Sequence, residues 1–250
     1  MVYKTCPKCG YQAGPPIQSS VSCAACGLIY EKYLRTRLTR AQAVTADTAE
    51  SKTRAGNLQT FVSSYLLETP EVPERTRTWA RAALLALLTF YGLRLARMDV
   101  PSWEMFSSLM HLPMVPIHEF GHVLFRPFGS FMHLLGGSLF QAGLPLVFGA
   151  IFVCRNRDPF AAAVMLWWSA VAVMDIAPYV YDAQQPVHVL LTGRTGETGA
   201  HDFIDVLGDL NLLTRAQSVG YAVHRCGVAM LVVACAWSAV VLRHAIARAR

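Results

Sequence analysis

Charge is what this 250-residue chain has little of: only 15% of its residues are Asp, Glu, Lys or Arg, against 54% hydrophobic residues and a mean hydropathy of +0.34. That balance is too apolar for an ordinary soluble domain, and its patchiness excludes one uniform fold. The first ten residues lack the apolar run of a cleavable signal peptide, so insertion is expected to depend on later segments. No internal repeat is visible, which weighs against a transporter built from duplicated halves. The net charge of +6 is spread over the linker, the membrane flanks and the C-terminus, where it marks cytoplasmic ends and anionic lipid; no nucleic acid is needed to explain it.

What is present is a polar N-terminal part followed by long hydrophobic segments. Cys6-Pro-Lys-Cys9 and Cys23-Ala-Ala-Cys26 are two CxxC knuckles, each followed by a glycine, Gly10 and Gly27. Four thiolates at that spacing suit one tetrahedral structural zinc, and the glycines allow the backbone to turn toward the sulfurs. The pattern resembles the small rubredoxin-like zinc ribbons, which implies a β-hairpin scaffold over residues 1–30. A pair of disulfides is the alternative. A thiolate site favours a reducing compartment, hence a cytoplasmic N-terminus and a ribbon free to bind a protein partner. Residues 31–76 read as a basic helical linker with Lys32, Arg35, Arg37, Arg40, Lys52 and Arg54. It carries an amphipathic helix near 58–68, built from Leu58, Phe61, Val62, Tyr65 and Leu66 and stopped by Pro70 and Pro73.

Residues 77–250 are expected to form a polytopic, mainly α-helical membrane domain. Its apolar segments are Trp79 to Met98, Trp103 to Phe128, Phe131 to Cys154, Phe160 to Tyr181 and Val219 to Ala247. The run Gly136-Gly137-Ser138-Leu139-Phe140-Gln141-Ala142-Gly143-Leu144-Pro145 is rich in helix breakers and reads as re-entrant or extended. Four crossings plus that element would return Arg155, Arg157 and the C-terminus to the cytoplasm. The expected location is a plasma membrane of bacterial type. Cys154, Cys226 and Cys235 lack metal spacing and read as small packing residues.

The chemistry is concentrated in Pro116-Ile117-His118-Glu119-Phe120-Gly121-His122. Two histidines four apart share one helix face and can reach one zinc ion, while the adjacent glutamate can deprotonate a zinc-activated water. In apolar surroundings such side chains are costly unless they face a cavity, a partner or a metal. Catalytic zinc takes a third protein ligand, and Met174-Asp175-Ile176-Ala177-Pro178-Tyr179-Val180-Tyr181-Asp182-Ala183 offers two carboxylates. Farther on, His201 and Asp202 are further candidates. Asp202 also reads as the N-cap of a helix through Asp209, and the stretch from Gly193 to Asp202 as a lid. His111, His133 and His188 read as interfacial or packing residues.

An HExxH pair in a membrane segment, followed two segments later by a polar residue, a proline and an aspartate, resembles the site-2 protease family of intramembrane zinc metalloproteases. The resemblance covers roughly residues 113–183. It implies Asp182 as the third zinc ligand, Pro178 as the motif proline and Asp175 in the place of the family's asparagine. It also implies that the stretch around Gly136 and Gly137, with Asp175 and Pro178, holds substrate. Ala183 stands where that family has glycine, the proline-to-aspartate spacing is one residue short, and Asp175 brings a charge where an amide is usual. The expected activity is hydrolysis of a peptide bond in or near a transmembrane segment, with two zinc ions per chain. The alternative is a non-catalytic membrane protein with a structural or sensory metal site.

Overall fold

The computed structural model describes residues 2–18, 22–37, 60–68, 74–190, 193–198 and 200–248. The linker expectations on Leu58, Arg40, Lys52, Arg54, Pro70 and Pro73 lie outside these residues. The chain divides into two compact units, Met1–Phe61 and Val62–Arg250.

In the first unit β1 (Val2–Thr5) pairs antiparallel with β2 (Gln12–Gln18), and residues 30–37 are helical. The two knuckles turn in the same way. Cys6 N–H donates to Tyr11 O at 2.9 Å and Gly10 N–H to Cys6 O at 3.0 Å; Cys23 N–H donates to Leu28 O at 2.9 Å and Gly27 N–H to Cys23 O at 2.8 Å. Both glycines adopt positive φ, +72° at Gly10 and +68° at Gly27, a conformation that side chains with a Cβ resist.

The second unit is helical: α1 (Arg75–Ala96), α2 (His111–Phe125), α3 (Ser130–Cys154), α4 (Pro159–Asp182), α5 (Asp202–Asp209) and α6 (Ala216–Arg248). Four helices are long and apolar enough to cross a membrane, those covering Arg75–Ala96, Ser130–Cys154, Pro159–Asp182 and Leu213–Arg248. At its start, Val62–Leu67 forms a π-helical turn, tied down by Arg157, whose Nη2 donates to Ser64 O at 3.1 Å, and by Trp237, whose Nε1 donates to Leu66 O at 2.6 Å.

The most buried helix is α4, and small residues explain how its neighbours come so close. A Cβ at Gly227 of α6 would stand 2.5 Å from Met174 Cγ and 2.9 Å from Ala170 O, and one at Gly220 would stand 2.8 Å from Tyr181 Cβ. In lipid the gain from such approach is dispersion rather than the hydrophobic effect. These contacts also fix direction: α6 runs antiparallel to α4. By contrast α1 runs parallel to it, with Arg81 against Asp158 at 2.6 Å near both N-termini and Leu88 O accepting Trp167 Nε1–H at 3.0 Å farther along. Asp158 also caps α4, accepting the Ala161 N–H at 3.1 Å.

Two expectations about the segments change. The residues from Trp103 to Phe128 do not make a full-length crossing. Two 3-10 turns, Val100–Ser102 and Glu104–Ser107, precede α2, which at 1.5 Å per residue is only about 22 Å long. Met105 and Met114 pack in one core cluster with Ala170, Val171 and Met174, so the chain dips into the bundle beside the middle of α4 before α2 climbs out again. The glycine-rich run, in turn, is neither re-entrant nor extended: it lies within the continuous helix α3. Its glycines serve packing against α2, since a Cβ at Gly121 would stand 2.5 Å from Gly136 O. Pro145 is buried inside α3, and the neighbouring carbonyl of Ala142 accepts the Ser169 hydroxyl at 2.7 Å. The short element that enters without crossing is therefore the one bearing HExxH.

Candidate metal centre

Residues 111, 115, 118 and 122 recur at helical spacing on α2 and line a cavity of about 630 Å³. Its other walls come from Trp103 and Phe106, from Gln141 on α3, from Asp175 and Tyr179 on α4, and from Val189, Leu190, Ala200 and Asp202 beyond α4. Glu119 lines the same cavity.

The imidazoles are oriented from behind. His118 Nδ1 lies 2.9 Å from Gln141 Oε1, and His122 Nδ1 lies 2.8 Å from the His133 carbonyl oxygen, so each Nδ1 carries a proton and donates it. The orientation of the Gln141 amide is itself determined, because its Nε2 donates to Asp175 Oδ2 at 2.9 Å and a carboxylate can only accept. With both Nδ1 protons engaged, the Nε2 lone pairs point forward.

They point at a carboxylate. Asp202 Oδ2 is 3.4 Å from His118 Nε2 and 3.3 Å from His122 Nε2, and these three side chains form a cluster able to hold a metal ion. Ligands about 2.0–2.1 Å from a tetrahedral zinc stand about 3.3–3.4 Å from each other, the separation of Asp202 Oδ2 from each histidine Nε2, and all three donor atoms lie within 4.8 Å of one another. Three acceptors converging on one point repel unless a cation lies between them. Asp202 is held by Tyr179, whose hydroxyl accepts the Asp202 backbone N–H at 3.0 Å and donates to Oδ2 at 3.3 Å.

The expected third ligand is thus placed elsewhere. Asp182, at the end of α4, accepts the Val187 N–H on Oδ1 at 3.2 Å and turns Oδ2 toward His201 Nε2, 3.8 Å away, in a buried pair outside the cluster. Asp202 is not the N-cap of α5: His201 occupies the cap position without a side-chain cap bond, and Asp202 is the first helical residue. His201 is buried against the Tyr179 ring, with centroids 4.2 Å apart, rather than at the histidine pair. Asp175 meets His111 Nδ1 at 3.0 Å and accepts from Gln141 Nε2 at 2.9 Å, behind the histidine pair and outside the cluster. Pro178 is fully buried in α4, and Gly136 and Gly137 form the close crossing under α2. A Cβ at Gly137 would stand 2.7 Å from Nε2 of both His118 and His122. Sequence reasoning missed Gln141 and Tyr179; the only signal for either was a polar group inside an apolar run.

In the first unit Cys6, Cys9, Cys23 and Cys26 form a second cluster that could bind a metal, and none is in a disulfide. Cys6 Sγ is 3.7 Å from Cys26 Sγ and Cys9 Sγ is 3.8 Å from Cys23 Sγ, close to the roughly 3.8 Å expected between sulfurs bonded at about 2.3 Å to one tetrahedral zinc. Against the opposing effect of burial, backbone N–H groups of Cys9 and Lys8 lower Cys6 to about 6. Although the Tyr11 backbone lowers it, Cys9 is pushed up to about 12, chiefly by Cys26. Four thiolates at this spacing need a cation to coexist.

No protein-family model matches this chain, and comparison with curated proteins and with solved structures returned no match.

Proposed function

We propose that the chain is a zinc-dependent membrane hydrolase that cuts peptide bonds in or beside the bilayer. The observation that carries this reading is the convergence of His118 Nε2, His122 Nε2 and Asp202 Oδ2 in a cavity that Glu119 also lines. A zinc ion held there would lower the pKa of water and polarise a carbonyl. Glu119 then has the remaining work. It accepts a proton from the attacking water as the new C–O bond forms, and returns it to the amine nitrogen as the C–N bond breaks. Gln141 and the His133 carbonyl keep both imidazoles in the tautomer that leaves Nε2 bare, with Asp175 and His111 fixing Gln141 in turn.

In this reading the third ligand is Asp202 of α5, whereas the resemblance to site-2 proteases implies one at the end of α4. A purely structural clasp would need neither a base nor a cavity of this volume, and would close its fourth position with another Cys or His. The apolar part of the wall, including Trp103, Phe106, Leu134 and Ile176, suits an unwound apolar polypeptide segment. Quantitative comparison of membrane proteomes from cells expressing wild type and Glu119→Gln tests the reading. Fragments present only with the wild type are expected; identical proteomes at equal zinc content would remove the catalytic assignment.

A further inference from the structure

We infer that the metal centre opens on the side of the membrane away from the cytoplasm, and that its substrates are polypeptide segments exposed on that side. The substrate class rests on the hydrolase reading above; the sidedness does not.

The two ends of the bundle differ. One end gathers the N-terminus of α1, the turn between α3 and α4, and the C-terminus of α6, since Arg81 pairs with Asp158 and α6 runs antiparallel to α4. The chain also enters the bundle at this end, because Val62–Leu67 is bound by Arg157 and Trp237. The metal centre is at the other end. Tyr179, which holds Asp202, lies about 30 Å along α4 from Pro159, and Gln141, which holds His118, lies about 20 Å along α3 from Cys154. A hydrocarbon core is about 30 Å thick, so the centre lies in the membrane half, and near the surface, farthest from the entry end. Its cavity is walled by Val189, Leu190 and Ala200, which belong to the segment joining α4 to α5 at that far end.

Charge distinguishes the ends in the same sense. Of the 22 Lys and Arg residues, six belong to segments at the metal-centre end: Arg94, Arg97, Arg126, Arg194, Arg215 and Arg225. Within about 20 residues of the helix ends, where this bias acts, the sequence flanking the entry end carries eight: Arg75, Arg77, Arg81, Arg155, Arg157, Arg243, Arg248 and Arg250. Lys and Arg accumulate on cytoplasmic flanks, which assigns the entry end to the cytoplasm. The Cys6, Cys9, Cys23 and Cys26 cluster precedes that entry point in the chain, and a thiolate site persists best in a reducing compartment. Two unrelated features, basic flanks and thiolate chemistry, therefore place the metal centre and its cavity mouth on the opposite side.

The test uses the full chain with Cys154→Ser, Cys226→Ser and Cys235→Ser, into which Val189→Cys at the cavity mouth or Asn156→Cys at the entry end is introduced. Val189 is 65% exposed, and Asn156 is exposed as well. Intact cells are treated with a membrane-impermeant maleimide before and after permeabilisation. Val189→Cys is expected to label at least tenfold faster than Asn156→Cys in intact cells, with the two becoming comparable once cells are opened. Asp209→Cys, an exposed position at the end of α5, repeats the first measurement should Val189→Cys fold poorly. Preferential labelling of Asn156→Cys, or equal labelling of both in intact cells, overturns the inference. This readout does not need zinc or activity, so it fails separately from the hydrolase reading. Glu119-dependent cuts mapped to cytoplasmic segments would overturn the substrate class alone.

Discussion

Gly137→Ala puts the smallest available perturbation against the metal centre. The added carbon would stand 2.7 Å from Nε2 of both His118 and His122, and 2.8 Å from His118 Cδ2, closer than non-bonded carbon and nitrogen approach. Either α3 retreats from α2 or both imidazoles swing. Retreat would open a crossing so close that a Cβ on Gly136 would meet Phe125 Cβ at 2.4 Å and one on Gly121 the Gly136 carbonyl oxygen at 2.5 Å, and would forfeit its packing contacts. The imidazoles therefore yield, and to do so they give up the hydrogen bonds to Gln141 and to the His133 carbonyl. At about 0.5–1.5 kcal/mol for each bond, the lost orientation amounts to about 1–3 kcal/mol. With 1.4 kcal/mol for each factor of ten, zinc should bind roughly five- to 140-fold more weakly. The assay is competition against a chromophoric chelator on detergent-purified protein, with Gly143→Ala as control because a Cβ there meets nothing within 4 Å. The thiolate cluster should keep its ion in both variants. Unchanged affinity at the histidine site in Gly137→Ala would refute the geometry from which the number is worked.

Other perturbations separate positioning from catalysis. Gln141→Leu is expected to weaken zinc binding about 10–100-fold while leaving helical content unchanged by circular dichroism, since its amide links His118 to Asp175 and Asp175 keeps its contact with His111. Tyr179→Phe loses both hydrogen bonds to Asp202 and should weaken zinc several-fold, measured by the same competition; no change would mean Asp202 needs no support. Asp158→Ala removes the α4 cap and leaves the mostly buried Arg81 unpaired, a loss of about 2–4 kcal/mol read by thermal unfolding in detergent. Zinc content should be unaffected, because Asp158 lies at the opposite end of α4.

How legible the molecule was depends on how local each signal is. Two knuckles and an HExxH pair are short-range patterns: a turn or one helical period places their side chains without help from the rest of the chain, so the four thiols gather in one cluster and His118 and His122 in another. Asp202 is a different case. It reaches His118 only because the segment after α4 folds back onto Tyr179, and nothing within a few residues of Asp202 announces that path. Locally an Asp before an apolar run reads as a cap, whereas here Asp202 is the first helical residue and its carboxylate faces the histidine pair. The family resemblance implies Asp182, but at the end of α4 that side chain secures Val187 and faces His201. The run from Gly136 to Pro145 misled for a related reason. Glycine and proline weaken a helix in water, but between packed helices Gly136 and Gly137 allow α2 to approach α3, and that contact outweighs their low propensity.

Metal content tests the central claim most directly. Elemental mass spectrometry on the purified full chain is expected to find two zinc ions per chain in the wild type and in Asp182→Ala. One is expected in Asp202→Ala and in His118→Ala/His122→Ala, with the remaining ion lost on substitution of Cys6 and Cys9. A wild type holding one zinc that is indifferent to His118, His122 and Asp202, or an ion lost with Asp182 but not Asp202, would contradict the assignment of the centre.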